Sequence, residues 1–304
     1  DLGSNSFHMV VAKTNEDSFH VVDRMRGMVQ LAAGLDQDNN ITDKAIEQAI
    51  ECLEQFDERL SDLPQLAVRA VGTNTLRKVR NALSFLSQAE TALGHAIDII
   101  SGHEEARVIY LGVSHGLDDE SDLRLVMDIG GGSTEFIVGD TGGMRFHKSL
   151  PLGSVRLMER HAVSDPPTGG ELETVCKSID QALSETSLPG LRGQLNAPGQ
   201  AQQFAMIGSG GMAGILAKME LADDAYDRER MEAVELPLDR VTAWRERLWG
   251  LTLARRREIT GLPPKRADVA LFGSLIYEQA MRQLGFAALR VSTRGIRFGV
   301  LRSK

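Results

Sequence analysis

Three observations predict an α/β chain built from two related halves. Short apolar strands alternate with helical periodicities along the whole sequence, and two glycine- and serine-containing turns of one plan open its two halves. Hydrophobic residues make up 42 % and charged residues 25 %, the balance of a packed globular chain. A length of 304 residues suffices for two domains. The polar stretch 115–122 is the expected boundary, giving domains over 1–117 and 118–304, with the last segment packing back on the first.

Residues 7–12 and 18–24 read as a hairpin around the turn Asn15-Glu16-Asp17. Thr42 reads as the N-cap of a helix to about Leu60, whose apolar residues Ala45, Ala49, Leu53, Phe56 and Leu60 recur at three- and four-residue spacing. A strand over 66–71 ends at Gly72-Thr73, a helix over 81–93 stops at Gly94, and 95–100 is a short strand. Ser101-Gly102 then opens a helix over 104–113. Strand 123–129 enters Gly130-Gly131-Gly132-Ser133 and strand 135–139 leaves it. Residues 171–183 read as helix, and 187–203, rich in Pro, Gly and Gln, as a surface loop. Strand 204–207 feeds Gly208-Ser209-Gly210-Gly211. Helices around 238–257 and 267–284 precede a last strand near 289–292 and a glycine-containing segment at 295–299. Such alternation implies sheets covered at least partly on both faces.

Composition excludes several classes. Thirty-four basic against 42 acidic side chains leave a net charge of -8, which disfavours a nucleic-acid or anionic-membrane partner. Aromatics, at 5 %, are too sparse for base-stacking platforms. Cys52, on the apolar stripe, and Cys176 read as reduced structural thiols. No apolar run approaches the length of a membrane span, and a cytoplasmic location is expected. The chain begins at Asp1 inside a strand-and-turn, so upstream residues are expected.

The turns carry the chemistry. Asp1-Leu2-Gly3-Ser4-Asn5-Ser6 and Asp128-Ile129-Gly130-Gly131-Gly132-Ser133 match in Asp, aliphatic, Gly and Ser, as two halves of one ancestral plan would. A Gly-rich strand–turn–strand can present several backbone N–H groups to an anion, so facing turns of this kind would cradle a phosphate chain. Asp128 and Glu135 are hard oxygen ligands suited to Mg²⁺, although Asp128 alone also fits a turn cap. Gly208, Gly210 and Ala213 fit G-x-G-x-x-A, but the acid that a dinucleotide site wants after a following strand is missing, which favours a third phosphate-facing turn. Glu104 and Glu105 fit helix-start capping, and either also fits a general base. Arg77 fits a phosphate clamp or an exposed helix-start Arg. The cluster Arg245, Arg247, Arg255, Arg256, Arg257, Lys265, Arg266 reads as a solvated face or as trailing polyanion contacts. The sequence holds no G-x-x-x-x-G-K-S/T, H-E-x-x-H or G-x-S-x-G.

Four segments together closely resemble the exopolyphosphatase and guanosine pentaphosphate phosphatase family of the actin-like, acetate and sugar kinase superfamily. They are DLGSNSFHMVV from Asp1, VGTNTLR ending at Arg77, IISGHEEARVIYLGV with Glu104 and Glu105, and VMDIGGGSTEFIVG with Asp128 and Glu135. IGSGGM from Ile207, the stretch 266–273 and VSTRGIRFGVL from Val291 are weaker echoes. The resemblance implies two actin-like (ribonuclease H-like) domains of mixed sheets flanked by helices, with the active site in the interdomain cleft. It implies Glu105 as catalytic base, Asp128 and Glu135 on Mg²⁺ with Mn²⁺ as the alternative, and Asn5, Ser6, Arg77, Gly130, Gly131 and Ser133 on phosphates; the third turn adds Gly208, Ser209 and Gly210. The expected reaction releases orthophosphate from the end of inorganic polyphosphate, because Gly132 stands where guanosine pentaphosphate phosphatases often carry Ala. Hydrolysis of guanosine pentaphosphate, a non-catalytic sensor of polyphosphate or guanosine tetraphosphate, and a small-molecule kinase are the rivals. A homodimer is also expected, though no residue carries that expectation. Two departures stand out: Arg294-Gly295-Ile296-Arg297-Phe298-Gly299 keeps only the Arg and the final Gly of the family's last motif, and the C-terminal helical extension of some relatives does not follow Lys304.

Overall fold

The computed structural model describes residues 1–14, 19–63, 67–115, 123–185, 188–195 and 204–303. It comprises two compact units, Asp1–Ile109 with Ile296–Lys304, and Tyr110–Gly295. The turn at 15–17, the start of the strand expected over 66–71 and most of the polar stretch 115–122 lie outside the described residues.

In the first unit, β1 (Phe7–Thr14) and β2 (Phe19–Gly27) pair antiparallel with His8 opposite Arg26. α1 (Asp43–Ser61) buries the apolar stripe read from the sequence, with Cys52 beside it. Thr42 stands at its N-cap, but the hydroxyl donates to the carbonyl of Gly34 (2.9 Å) instead of capping the helix. β3 (Ala70–Gly72) runs parallel to β4 (Ile97–Ile99). Between them α2 (Ala82–Leu93) ends at Gly94, whose φ of 70° is the left-handed stop that glycine adopts without strain. α3 (Gly102–Ser114) follows, its residues from Tyr110 on counted with the second unit. Leu2 joins the two strand pairs, bridging antiparallel to Phe7 and parallel to Gly72.

The second unit is built on a six-stranded sheet. β5 (Leu123–Ile129), β6 (Thr134–Asp140) and β7 (Gly143–Leu150) form an antiparallel meander, followed by α4 (Ser154–Arg160), α5 (Gly169–Glu185) and α6 (Leu188–Leu195). β8 (Phe204–Ser209), α7 (Gly210–Leu221), α8 (Arg228–Glu232), β9 (Glu235–Pro237), α9 (Leu238–Trp249), α10 (Leu253–Arg256), α11 (Ala270–Leu284) and β10 (Ala288–Val291) complete it. The order is β7-β6-β5-β8-β10-β9, with β5, β8 and β10 parallel. α12 (Ile296–Arg302) belongs to the first unit, where Gly299 approaches the Val108 backbone too closely for any Cβ.

Four expectations need correction. The surface loop over 187–203 contains α6, because Leu191 and Leu195 find a core to enter; 187 and 196–203 lie outside the described residues. The helix over 238–257 is two helices parted after Gly250, and residues 296–299 of the glycine-containing segment are helical, the start of α12. The strand over 66–71 forms only as β3.

Each unit buries its own core, around Phe7, Leu31, Leu53 and Phe85 in the first and Met127, Phe136, Phe272 and Tyr277 in the second. Both follow one plan: β2-β1-Leu2-β3-β4 in the first unit corresponds to β7-β6-β5-β8-β10 in the second. A constant shift of 127 positions relates the turns, since Leu2 pairs with Phe7 and Ile129 with Thr134.

Candidate active site

The glycine turn of the second unit is oriented by the helix that follows the meander. Gly130 O accepts the Ser154 N–H (3.0 Å), Gly131 O accepts those of Val155 and Arg156 (both 3.0 Å), and Gly132 O accepts Arg156 Nε–H (2.9 Å). A trans peptide points its C=O and the next residue's N–H to opposite sides. The N–H groups of Gly131, Gly132 and Ser133 are therefore aimed away from α4, three successive donors on one side of the turn. Gly153 lets α4 approach, because a Cβ there would collide with the backbone of Gly131 and Gly132.

The first unit repeats the device with other residues. Ser4 O accepts the Ala32 N–H and Asn5 O accepts the Gln30 N–H (both 2.9 Å), which turns the N–H groups of Asn5 and Ser6 to the opposite side. Thr75, from the segment after β3, donates its hydroxyl to Ser4 Oγ (2.7 Å).

Across the sheet of the second unit runs a file of polar side chains. Ser149 pairs with Glu135, Glu135 with Asp128 and Asp128 with Ser209 on neighbouring strands, so all four project from one face. Ser209 Oγ donates to Asp128 Oδ2 and Ser149 Oγ to Glu135 Oε1, each at 2.6 Å. Gly210 has a φ of 77°, and a Cβ on it would collide with Asp128 Oδ1, so glycine is required on both counts. A Cβ on Gly295 would lie 3.4 Å from Ser209 Oγ and 3.6 Å from Asp128 Oδ2, which brings the end of this unit over the same pair. Behind them the buried Tyr277 hydroxyl lies 3.4 Å from the carbonyls of Met127 and Ser209; burial, then the Asp128 charge, push its pKa well above the ordinary phenol value.

Two carboxylates directly opposite on adjacent strands repel, and a hard divalent cation is what relieves such a pair. No group of three or more His, Cys, Asp or Glu suited to a metal occurs among the described residues. Two carboxylates braced by hydroxyls nonetheless fit Mg²⁺, which usually keeps waters and substrate phosphates in its remaining positions.

The start of α3 separates its two glutamates. Ser101 Oγ accepts the Glu104 N–H (3.1 Å), and Glu104 forms a bidentate pair with Arg107 (2.7 and 2.8 Å), whose hydrogen bonds hold its carboxyl below the usual range. Glu105 instead lies 2.8 Å from Arg77 Nη1, which also donates to Ile100 O (2.8 Å). Of the pair, Glu105 is thus the one turned to Arg77.

Other candidates are placed differently. Gly208 is buried, and a Cβ there would lie 3.0 Å from the Tyr277 hydroxyl and 3.2 Å from Ala213, so its smallness serves packing. The basic cluster is not one surface: Arg245 pairs with buried Glu278, Arg256 is buried against Asp165 and the Ala267 carbonyl, Arg255 pairs with Glu258, and Arg247 lies over the Trp244 ring. Ser149, Tyr277 and Gly153 were missed. The signal for Ser149 was the run Asp140-Thr141-Gly142-Gly143, a turn that announces β7. Both cysteines are free thiols.

Comparison with known proteins gives a consistent answer. A guanosine-5'-triphosphate,3'-diphosphate pyrophosphatase of Pseudoalteromonas translucida (strain TAC 125) is 41 % identical over 211 residues, 68 % of this chain but only 42 % of that relative's length. An exopolyphosphatase from Cytophaga hutchinsonii has the same fold, with a TM-score of 0.87 at 26 % identity over 99 % of this chain and 94 % of the other. The PPX-GPPA enzyme of Aquifex aeolicus superposes with a TM-score of 0.83 at 26 % identity, over 100 % of this chain and 97 % of the other. Two actin-like domains of mixed sheet and helix are the fold of these structures, as the sequence predicted. The Ppx/GppA phosphatase family matches residues 10–304, and the chain belongs to that family.

Proposed function

We propose that this protein hydrolyses the terminal phosphoric anhydride of inorganic polyphosphate and releases orthophosphate. The observation that carries the reading is the pair of amide nests, one per unit, related by a shift of 127 positions from Leu2–Phe7 to Ile129–Thr134, the second beside two opposed carboxylates. Backbone donors at Asn5, Ser6, Gly131, Gly132 and Ser133 hold phosphate oxygens. Glu105 takes a proton from water; the water oxygen bonds to the terminal phosphorus, the bridging P–O bond breaks, and the shortened chain leaves with its electron pair. Arg77 steadies Glu105 from 2.8 Å and contributes positive charge to the phosphate side. Asp128 and Glu135 would hold Mg²⁺, which when bound supplies charge neutralisation on the transferring phosphoryl group. Activity as a cytoplasmic homodimer belongs to the same reading.

The 41 % identical pyrophosphatase favours a second reading, hydrolysis of the 5′-terminal phosphate of guanosine pentaphosphate. Orthophosphate release from long-chain polyphosphate and from guanosine pentaphosphate, at equal terminal phosphate and with Mg²⁺ or EDTA, separates the two. Metal-dependent release favouring polyphosphate is expected, and preference for the nucleotide would replace the first reading by the second. Glu105→Gln should bind polyphosphate normally and lose at least about a hundredfold in kcat. Binding without release by the unaltered protein would point to a sensor.

A further inference from the structure

The last motif departs from the family pattern, yet Arg297 within it reaches the first phosphate turn. Arg297 Nη1 lies 3.2 Å from His8 Nδ1, and His8 Nε2 lies 2.9 Å from Ser6 Oγ. All three residues belong to the first unit.

A guanidinium has donors only. Against Arg297, His8 Nδ1 must therefore be the acceptor, which assigns the ring proton to Nε2. Nε2–H then donates to Ser6 Oγ, and because that oxygen accepts, the hydroxyl hydrogen of Ser6 is left to donate in another direction. Ser6 also belongs to the peptide whose N–H is turned away from residues 30–32, since Asn5 O is bonded to Gln30. Backbone and side chain of one residue thus each have a donor to offer an anion.

We propose that Arg297 and His8 are positioning residues that fix the tautomer of His8 and so commit the Ser6 hydroxyl to donating to a phosphate oxygen of the substrate. The proposal rests on the phosphatase reading for the identity of that anion. It gives α12, which contains Arg297, a task in binding as well as packing.

Double-mutant kinetics and histidine NMR test it on the intact chain. Ser6→Ala should lower kcat/KM for polyphosphate about tenfold, mostly through KM, because a charge-assisted hydrogen bond to bound substrate is lost. His8→Leu should give a similar loss, and the double variant no more than the larger single one, since His8 acts only through Ser6. His8→Gln keeps an amide donor for Ser6 and an acceptor for Arg297, and should restore most of the affinity. In ¹⁵N-histidine spectra His8 should be the Nε2–H tautomer, and Arg297→Met should shift that equilibrium. Additive losses, a His8→Gln variant no better than His8→Leu, an Nδ1–H tautomer in the unaltered protein, or a tautomer indifferent to Arg297→Met would each overturn the relay. Absence of hydrolysis by the unaltered protein would overturn the phosphatase reading alone, and the tautomer measurements would then decide the relay.

Discussion

The two units carry one backbone turn and opposite side-chain chemistry. In the second unit the strand leaving the turn brings Glu135 opposite Asp128, with Ser149 bonded behind it. In the first unit, at the place related by the same shift that takes Phe7 to Thr134, stands His8, with Arg26 across the ladder and Arg297 on its ring. Peptide geometry turns successive N–H groups to one side in both, while the side chain two residues past the turn serine is a carboxylate in the second unit and an imidazole among arginines in the first. Turn and metal side can accordingly be broken separately. Glu135→Gln removes one of the opposed carboxylates and should lower kcat at least about a hundredfold, with a higher Mg²⁺ requirement for what remains, whereas His8→Gln should change the Mg²⁺ requirement little. Metal titrations of the two variants check the contrast.

The units differ also in buried charge. Among the described residues the buried charged side chains Arg124, Glu135, Arg256 and Glu278 all lie in the second unit, while the buried polar residues of the first, Ser6, Thr73 and Thr75, are neutral. Glu278 is 2 % exposed; burial pushes its pKa up, but hydrogen bonds from Arg245 and Arg282 carry it below the ordinary carboxylate value. A depressed pKa in the folded state means that its stabilisation is complete above the unfolded value and fades as pH falls through the folded one. Acid should therefore loosen the second unit before the first. Glu278→Gln leaves Arg245 and Arg282 without their carboxylate and should cost about 3 kcal/mol at neutral pH. Hydrogen exchange followed unit by unit during acid titration reads both effects.

Corresponding glycines sharpen the comparison at lower energy. Leu2 bridges to Gly72, and one step beyond the Asp128–Ser209 pair comes Gly210. Gly210 has a φ of 77° and abuts Asp128 Oδ1, whereas a Cβ on Gly72 would meet only the end of the Leu76 side chain, at 2.7 Å. Gly210→Ala should destabilise by about 2 kcal/mol and displace Asp128, while Gly72→Ala should cost under about 1 kcal/mol. Urea midpoints decide between them.

The sequence showed what repeats locally and concealed what depends on a partner element. The stripe of α1, the left-handed stop at Gly94 and the bounds of β5 were legible because periodicity and glycine act within a few residues. The two turns were legible as a repeat, although nothing in GGGS says which way its carbonyls face; α4 decides that through hydrogen bonds from Ser154, Val155 and Arg156. A short helix of seven residues with no side-chain cap leaves little trace in a sequence. Among the candidates, Asp128 and Glu135 lie opposite each other on adjacent strands, while the choice of Glu105 over Glu104 rested on resemblance; in the structure Arg107 occupies Glu104 and Arg77 faces Glu105. Gly208 looked like part of a phosphate turn because a G-x-G pattern does not reveal which glycine is buried under Tyr277.

The smallest expected effect tests the file across the second sheet. Ser149 contributes one hydroxyl, 2.6 Å from Glu135 Oε1, on a strand that touches neither the glycine turn nor Asp128 in the ladder. Removing it leaves Glu135 in place, with one oxygen less restrained. Ser149→Ala should therefore raise the Mg²⁺ concentration for half-maximal activity about threefold, near 0.7 kcal/mol, the scale of one hydrogen bond, with kcat at saturating metal unchanged. The corresponding position of the first unit, Arg26 across from His8, supports no metal in this reading, so Arg26→Ala should leave the Mg²⁺ requirement unchanged. Equal shifts in the two variants would mean that the Ser149 hydroxyl has no particular part in steadying Glu135 for the metal.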